Sequence, residues 1–365
     1  MHDWIDDTAA LERWFGALAP PAPIGLDTEF LRTDTFRPRL ALIQANIDGR
    51  IALLDAPKLG AHAPLAAALA DARNVCIMHS ASEDLEALAA IVPTGPGQLF
   101  DTQTAAAMVG LGASLSYQKL VALLLGIDLP KAETRSDWFA RPLSAAQIDY
   151  AVQDVAHLPV VHAELARRLE ALGRSAWLAE DCRRLVDKVC QPEADDEPQR
   201  AFRTAADWPL ARQALLRRVL LWREATARRI DKPRRWILDD VHILAFVAEP
   251  PATSEALFER SRGLRALRGP LRQELLELLH APLDAGELAI APIPAAPSTA
   301  EKRLVNSLRD EVARIAGALG VPEGLLCARR HLEALATERR WPAALDGWRR
   351  GVLFDELTRI VPVPS

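Results

Sequence analysis

Ile24-Gly25-Leu26-Asp27-Thr28-Glu29-Phe30 is the stretch on which the reading of the fold turns. An apolar run enters two carboxylates spaced i, i+2. Side chains alternate along a strand, so Asp27 and Glu29 share one face. Two ionised carboxylates beside a sheet interior need a counter-charge. Hard oxygen ligands of this kind suit Mg²⁺ or Mn²⁺. The same residues also fit a solvated strand end, so the surroundings must decide.

On the N-terminal side, residues 6–18 place Leu11, Trp14, Phe15 and Leu18 at helical spacing, and Pro20, Pro21 and Pro23 close that helix. On the C-terminal side, Leu40 to Ile47 reads as a second strand and Arg50 to Asp55 as a third. Asp48-Gly49 is the hairpin turn between them. An antiparallel three-strand meander is expected to open the chain, followed by a helix over residues 62–72.

Val75-Cys76-Ile77-Met78 reads as a buried strand running into His79-Ser80-Ala81-Ser82-Glu83-Asp84-Leu85. Ser80 and Glu83 have the spacing of a capping box. Asp84 is then either a third carboxylate facing the first two or an acid favoured by the helix dipole. Residues 100–126 carry two helical patterns, with Asp101 as an N-cap and a break at Gly110 to Ser114. Residues 128–143 form a loop. Its Lys131, Arg135 and Trp138 suit nucleic acid or, equally, an ordinary loop with a docked tryptophan. Ser144 caps a helix expected to run to about residue 190. On it Tyr150 and Asp154 lie one turn apart, where a phenol can hold a water beside a metal. A tyrosine packed on the sheet and a solvated aspartate would look the same.

The chain has 365 residues, half hydrophobic and 25% charged, which points to two or three globular domains. Its four cysteines, Cys76, Cys182, Cys190 and Cys327, form no Cys-x-x-Cys pair. Neither a zinc site nor a disulfide framework is suggested, and a reduced, cytoplasmic protein is expected. The acidic start, Met1 to Asp7, lacks the features of a signal peptide, and no apolar run reaches membrane-spanning length. Net charge is −5, but residues 1–200 hold 18 Lys and Arg against 28 Asp and Glu, and the remainder 26 against 21. That excludes a global polycation and pairs an acidic half with a mildly basic one.

Gln191 to Gln199 and Ala281 to Thr299 have the composition of linkers. Between and after them lie helical segments, residues 205–280 and 300–361. In the first, Leu215 to Arg223 and on to Arg229 sets arginines between apolar residues, as a solvated face or a phosphate-binding one. The chain contains no Gly-x-x-x-x-Gly-Lys-Ser/Thr loop, so ATP-driven work is not expected.

Taken in order, Asp27-x-Glu29, Asp84 and Tyr150-x-x-x-Asp154 resemble the tyrosine branch of the DEDD exonuclease superfamily. Wider stretches resemble the ribonuclease D family within it: Leu26 to Thr33 with Leu42-Ile43-Gln44, His79-x-x-x-Glu83-Asp84-Leu85, Phe100-Asp101-Thr102-Gln103, and Ser136-Asp137-Trp138 before Arg141-Pro142-Leu143. The helical segments resemble HRDC domains, the first through Trp222-Arg223 and Pro233-Arg234-Arg235, the second more weakly. Many superfamily members carry Asn four residues before the third carboxylate; here it is Ser80.

The resemblance implies a multidomain chain: an α/β RNase H-like exonuclease domain over residues 1–191, with a mixed sheet whose first three strands are antiparallel, then two small all-α HRDC-like domains over 205–282 and 300–365. It implies a 3′→5′ exoribonuclease that releases nucleoside 5′-monophosphates, acting on RNA with a free 3′ end and on tRNA precursors, without ATP or membrane, as a monomer. It also implies two divalent cations, Mg²⁺ or Mn²⁺, roughly 3.5–4 Å apart. Asp27 would bridge them, Glu29 and Asp154 would hold the ion on the attacking side, Asp84 the other, and Tyr150 would orient the attacking water. Substrate contacts are expected at Gln44, His79, Lys131, Arg135, Arg217, Arg218 and Arg228. The competing readings are a DNA-directed exonuclease of the same branch and a catalytically silent nucleic-acid-binding protein. The second should have lost a carboxylate, and all four are present.

Overall fold

The structure, a computed structural model, describes residues 2–16, 18–59, 62–130 and 136–363. The chain divides into two compact units: Met1–Leu31 with Arg39–Pro192 and Pro297–Ser365, and Arg32–Pro38 with Glu193–Ala296. No helix among the described residues is long and apolar enough to cross a membrane.

The first unit is built on strands β1 (His2–Ile5), β2 (Pro23–Leu31), β3 (Arg39–Ile47), β4 (Arg50–Leu54), β5 (Val75–Met78) and β6 (Leu99–Asp101), with α1 (Thr8–Gly16) and α2 (Ala63–Ala70) interleaved. Then come α3 (Ser82–Leu88), α4 (Thr102–Met108), α5 (Tyr117–Leu125), α6 (Ala145–Ala156), α7 (Leu158–Ala171) and α8 (Ser175–Cys190). The sheet order is β1-β4-β3-β2-β5-β6. Strands β2, β3 and β4 form the expected antiparallel meander. The antiparallel run is not the first three strands, however: β1 precedes it and lies parallel to β4 at the sheet edge. Four residues without alternation carry no strand signal, and only the pairing with β4 makes them one.

Two further expectations change. The helix begun at Ser144 is three helices, not one. Pro159 at the start of α7 lacks an N–H to continue α6, and Gly173 turns the chain at φ 66° between α7 and α8. The start of α6 is as read, with Ser144 and Gln147 in a reciprocal capping box. Asp101 likewise caps α4 through the Thr104 amide. The Ser80–Glu83 box does not form: α3 is capped by Ala81 without a side-chain bond, and Ser80 sits at φ 60°. A left-handed backbone there is what asparagine tolerates better than most residues.

The second unit contains α9 (Leu210–Ile230), α10 (Arg234–Ile237), α11 (Asp240–Ala248), α12 (Ser254–Arg260), α13 (Pro270–His280) and α14 (Ala285–Leu288). Leu216, Val219, Leu220 and Ala227 on α9 recur at helical spacing and are buried against Ile237, Phe246, Leu257 and Leu275. The remaining helices, α15 (Thr299–Leu319), α16 (Glu323–Leu326), α17 (Arg329–Glu338) and α18 (Trp348–Ile360), belong to the first unit. Their Leu308, Leu335, Leu353 and Leu357 continue the hydrophobic cluster that holds Leu165 and Leu178. The rings of Trp177 and Trp348 stack at 4.4 Å, and Arg349 pairs with Asp181 through both carboxylate oxygens. A Cβ at Gly347 would displace the Glu180 carboxylate, which accepts the Trp348 amide at 3.0 Å and ties the start of α18 to α8.

Candidate active site

Strand β2 places the first two carboxylates. Ile24 and Leu26 point into the core at 0% exposure, and alternation sends Gly25, Asp27 and Glu29 to the opposite face. That face is covered by α6 and the start of α7. A Cβ at Gly25 would stand 3.1 Å from the Cβ of Leu158, a close approach that lets α7 begin against the strand. The preceding turn of α6 carries Asp154. Asn46 pins the end of α6, donating from Nδ2 to the carbonyls of Val155 (2.8 Å) and Ala156 (3.2 Å). The Tyr117 hydroxyl accepts the His157 amide at 3.3 Å.

The result is a cluster in which one carboxylate oxygen from each of Asp27, Glu29 and Asp154 lies within 4.8 Å of the others. Asp84 stands beside it. β5 pairs with β2 only along Pro23 to Gly25, so the edge of β2 is free from Leu26 onward on that side. Asp84, in the first turn of α3, reaches that edge and accepts a 2.5 Å hydrogen bond from Thr28 Oγ1.

Burial raises all four carboxyl groups, and repulsion from the other carboxylates of the cluster adds to it at Asp27, Glu29 and Asp154. Desolvation holds Asp27 well above the carboxylate range, reinforced by Asp84, Asp154 and Glu29. Burial pushes Glu29 to about 8, with Asp154 and Asp84 adding to it. Asp154 is raised to about 7 by burial against a lowering hydrogen bond from Tyr150, and Asp84 to about 6 by burial against the bond from Thr28. Asp154 Oδ2 is buried without a hydrogen-bond partner among the described residues. An orphaned oxygen among crowded carboxylates is what a divalent cation would satisfy, so the residues fit the metal that the motif implies.

Tyr150 is held protonated: burial raises its phenol, and the charges of Asp154 and Glu29 raise it further. Its ring packs 6.0 Å from that of Trp138, which is buried on the sheet with Leu42, Leu53 and Leu143. Arg141 anchors the same segment by a two-pronged pair with Asp55 (2.7 and 2.9 Å).

The other expected contacts fall in different places. Gln44 is opposite Asp27 in register, fully buried, with neither amide atom bonded among the described residues. His79 is tied into the scaffold, Nδ1 2.9 Å from Thr102 Oγ1 and Nε2 3.0 Å from the Leu115 carbonyl. Lys131 and Arg135 lie outside the described residues. Arg217, Arg218 and Arg228 are in the second unit, each with a partner there. Arg217 donates to the Asp196 carbonyl, and Arg228 pairs with Glu224 and lies over Phe36. Arg218 spends its guanidinium on Glu287 and on the carbonyls of Leu278, Ala281 and Pro282.

Sequence reasoning missed Thr28, Asn46 and Tyr117. Gln44 and Asn46 did carry a signal: two amides alternating within an otherwise apolar strand must face something polar. Tyr117 carried none, because its partner is a backbone amide 40 residues away.

The chain can be set against known proteins. The 3′-5′ exonuclease family matches residues 2–170 and the HRDC domain family residues 212–265. A ribonuclease D of Xanthomonas oryzae pv. oryzae is 42% identical over 97% of this chain and 96% of its own length. A ribonuclease D of Pseudomonas paraeruginosa is 37% identical over 95% and 94%. The crystal structure of Escherichia coli RNase D, described as an exoribonuclease involved in structured RNA processing, superposes with a TM-score of 0.86 at 26% identity, covering 99% of this chain and 98% of that one.

Proposed function

The chain belongs to the ribonuclease D family, and from that premise we infer that it is a 3′→5′ exoribonuclease. The observation that carries this reading to particular residues is the cluster of Asp27, Glu29 and Asp154 with an unpaired Asp154 oxygen. Asp27, Glu29 and Asp154 would hold one divalent cation, and Asp27 with Asp84 a second, as Mg²⁺ or Mn²⁺. Bound there, the cations neutralise the carboxylates, acidify the attacking water and stabilise the leaving 3′-oxygen.

The protein's own groups do the rest. Tyr150 keeps its proton, so it orients the attacking water by hydrogen bonding and does not act as its base. Thr28 holds Asp84 in place, and Asn46 with Tyr117 holds the end of α6 that bears Asp154. The water oxygen attacks the terminal phosphorus, the P–O3′ bond breaks, and a nucleoside 5′-monophosphate leaves an RNA one residue shorter with a free 3′-hydroxyl. We assign the exonuclease domain to residues 1–191, an HRDC-like domain to 205–282 and a second, more divergent one to 300–365. The substrates would be precursors of tRNA and other small structured RNAs. The enzyme would work as a monomer in the cytoplasm, where its four free cysteines stay reduced.

The test is 3′-labelled RNA with Mg²⁺ or Mn²⁺, beside Asp27→Asn, Asp154→Asn and a matched DNA strand. Stepwise release of labelled 5′-mononucleotides from RNA, lost in both variants and with EDTA, is expected. Preference for DNA would replace the substrate. RNA binding without product in either metal would leave a binding protein.

A further inference from the structure

Gln44 is fully buried, yet neither its Nε2 nor its Oε1 has a hydrogen-bond partner among the described residues. A buried amide left unpaired is costly, so the site around it matters. The strand register names its neighbours. Asp27 lies opposite it on β2 and Leu53 opposite it on β4, with Leu42 and Asn46 two residues away on β3 itself. Side chains directly across an antiparallel pair share one face, so Gln44 stands on the face that bears Asp27.

Most of these neighbours have nothing to offer an amide. Leu42 and Leu53 are apolar and buried, as is Ala151 of α6, which packs with them. Asn46 is already engaged: its Nδ2 donates to the Val155 and Ala156 carbonyls, and its Oδ1 accepts the Gly49 amide. Of the neighbours named, Asp27 alone brings a side chain that can still accept. Two other carboxylates of the cluster are each steadied by a neutral hydroxyl, Asp84 by Thr28 and Asp154 by Tyr150. Asp27 has no such side-chain donor on it among the described residues.

We propose that Gln44 is the positioning residue for Asp27, its side-chain N–H donating to the Asp27 carboxylate when that group ligates the cations. Carboxylates that hold a metal are themselves held by hydrogen bonds, which fix their orientation. A neutral donor suits this place. An ammonium or guanidinium there would compete with the cations, and another carboxylate would add to the repulsion within the cluster. Full burial also argues against the contact with substrate expected at Gln44. The proposal rests on the metal-dependent exonuclease reading, so its test reads metal binding as well as cleavage.

Full-length protein, stripped with EDTA and desalted, is titrated calorimetrically with Mn²⁺ alone, beside Gln44→Leu and Gln44→Met. Both variants replace the amide by an apolar side chain of similar size. Each is expected to weaken Mn²⁺ binding about 10- to 100-fold, the usual effect of losing an outer hydrogen bond to a ligand. The melting temperature in EDTA should stay level or rise, because an unpaired buried amide has been removed. In RNA hydrolysis the Mg²⁺ concentration for half-maximal rate should rise by a similar factor, with kcat largely recovered at saturating Mg²⁺. Wild-type Mn²⁺ affinity in both variants would overturn the proposal. So would a lower melting temperature of both in EDTA, since Gln44 would then serve the scaffold. A wild-type protein that binds no Mn²⁺ would sink the metal-site reading itself, and the role of Gln44 with it; one that binds Mn²⁺ no more tightly than its variants would sink the role of Gln44 alone.

Discussion

Thr28 and Asp84, 56 residues apart, meet in a 2.5 Å hydrogen bond from hydroxyl to carboxylate at the free edge of β2. Thr28 lies between the two carboxylates of the opening motif yet points to the other face of the sheet. It ties the third carboxylate to the strand that bears the first two. Thr28→Val keeps the shape and removes the donor. A hydrogen bond to a charged group is worth about 1.5–3 kcal/mol, so the Mg²⁺ concentration for half-maximal activity should rise at least about tenfold. An unchanged metal titration would mean that Asp84 needs no such support.

The raised carboxyl groups make a signed prediction. Folding lifts Asp84 to about 6, Asp154 to about 7 and Glu29 to about 8. The native, metal-free state therefore binds more protons than the unfolded chain, whose carboxyl groups titrate near about 4. The stability these protonated groups contribute is full below about pH 4 and is lost as pH rises through 6 to 8. In EDTA the melting temperature should fall over that window, and the increment given by Mg²⁺ should grow with pH. Calorimetry at several pH values checks both; a metal increment that shrinks with pH would contradict the cluster.

Tyr150→Phe should lower kcat about 10²-fold, the lower end for groups that assist proton transfer, and leave KM nearly unchanged. Because the phenol stays protonated across the working range, the variant's pH–rate profile should keep the shape of the wild type. A lost alkaline limb in the variant would show that Tyr150 titrates during turnover.

Ser80 holds φ 60° in the turn that delivers α3 and Asp84. The left-handed region costs most residues about 1–2 kcal/mol, less for asparagine. Ser80→Asn is expected to raise the melting temperature by a few degrees without loss of activity. A lower melting temperature would mean that the hydroxyl has a role of its own.

Arg349 and Asp181 are only 13% and 11% exposed, and Asp181 also accepts from Trp348 Nε1. Removing one partner of such a pair strands the other, at about 3–5 kcal/mol. Asp181→Ala should be strongly destabilising by denaturant titration, and Asp181→Leu/Arg349→Met should recover much of the loss. A mild effect of the single change would mean that the C-terminal helices are held by their hydrophobic contacts alone.

By itself the sequence determined the parts whose physics is local. The β2–β4 meander follows from alternation and the Asp48-Gly49 turn, and the caps at Asp101 and Ser144 follow from side chains that bond amides three residues away. The chemical types of Asp27, Glu29, Asp84, Tyr150 and Asp154 were legible in order along the chain, because a metal site demands oxygen ligands wherever they come from. Tertiary structure decided the rest. β1 is a strand only because β4 offers it an edge. Arg218 is held by Glu287 of α14 and by the carbonyls of Leu278, Ala281 and Pro282, partners 60 to 69 residues away along the chain. Asp154 reaches Asp27 because a side-chain-free Gly25 lets α7 close on β2, and because Asn46 and Tyr117 hold the helix end. Spacing along the chain cannot encode these, since each depends on which surfaces meet after the chain has folded.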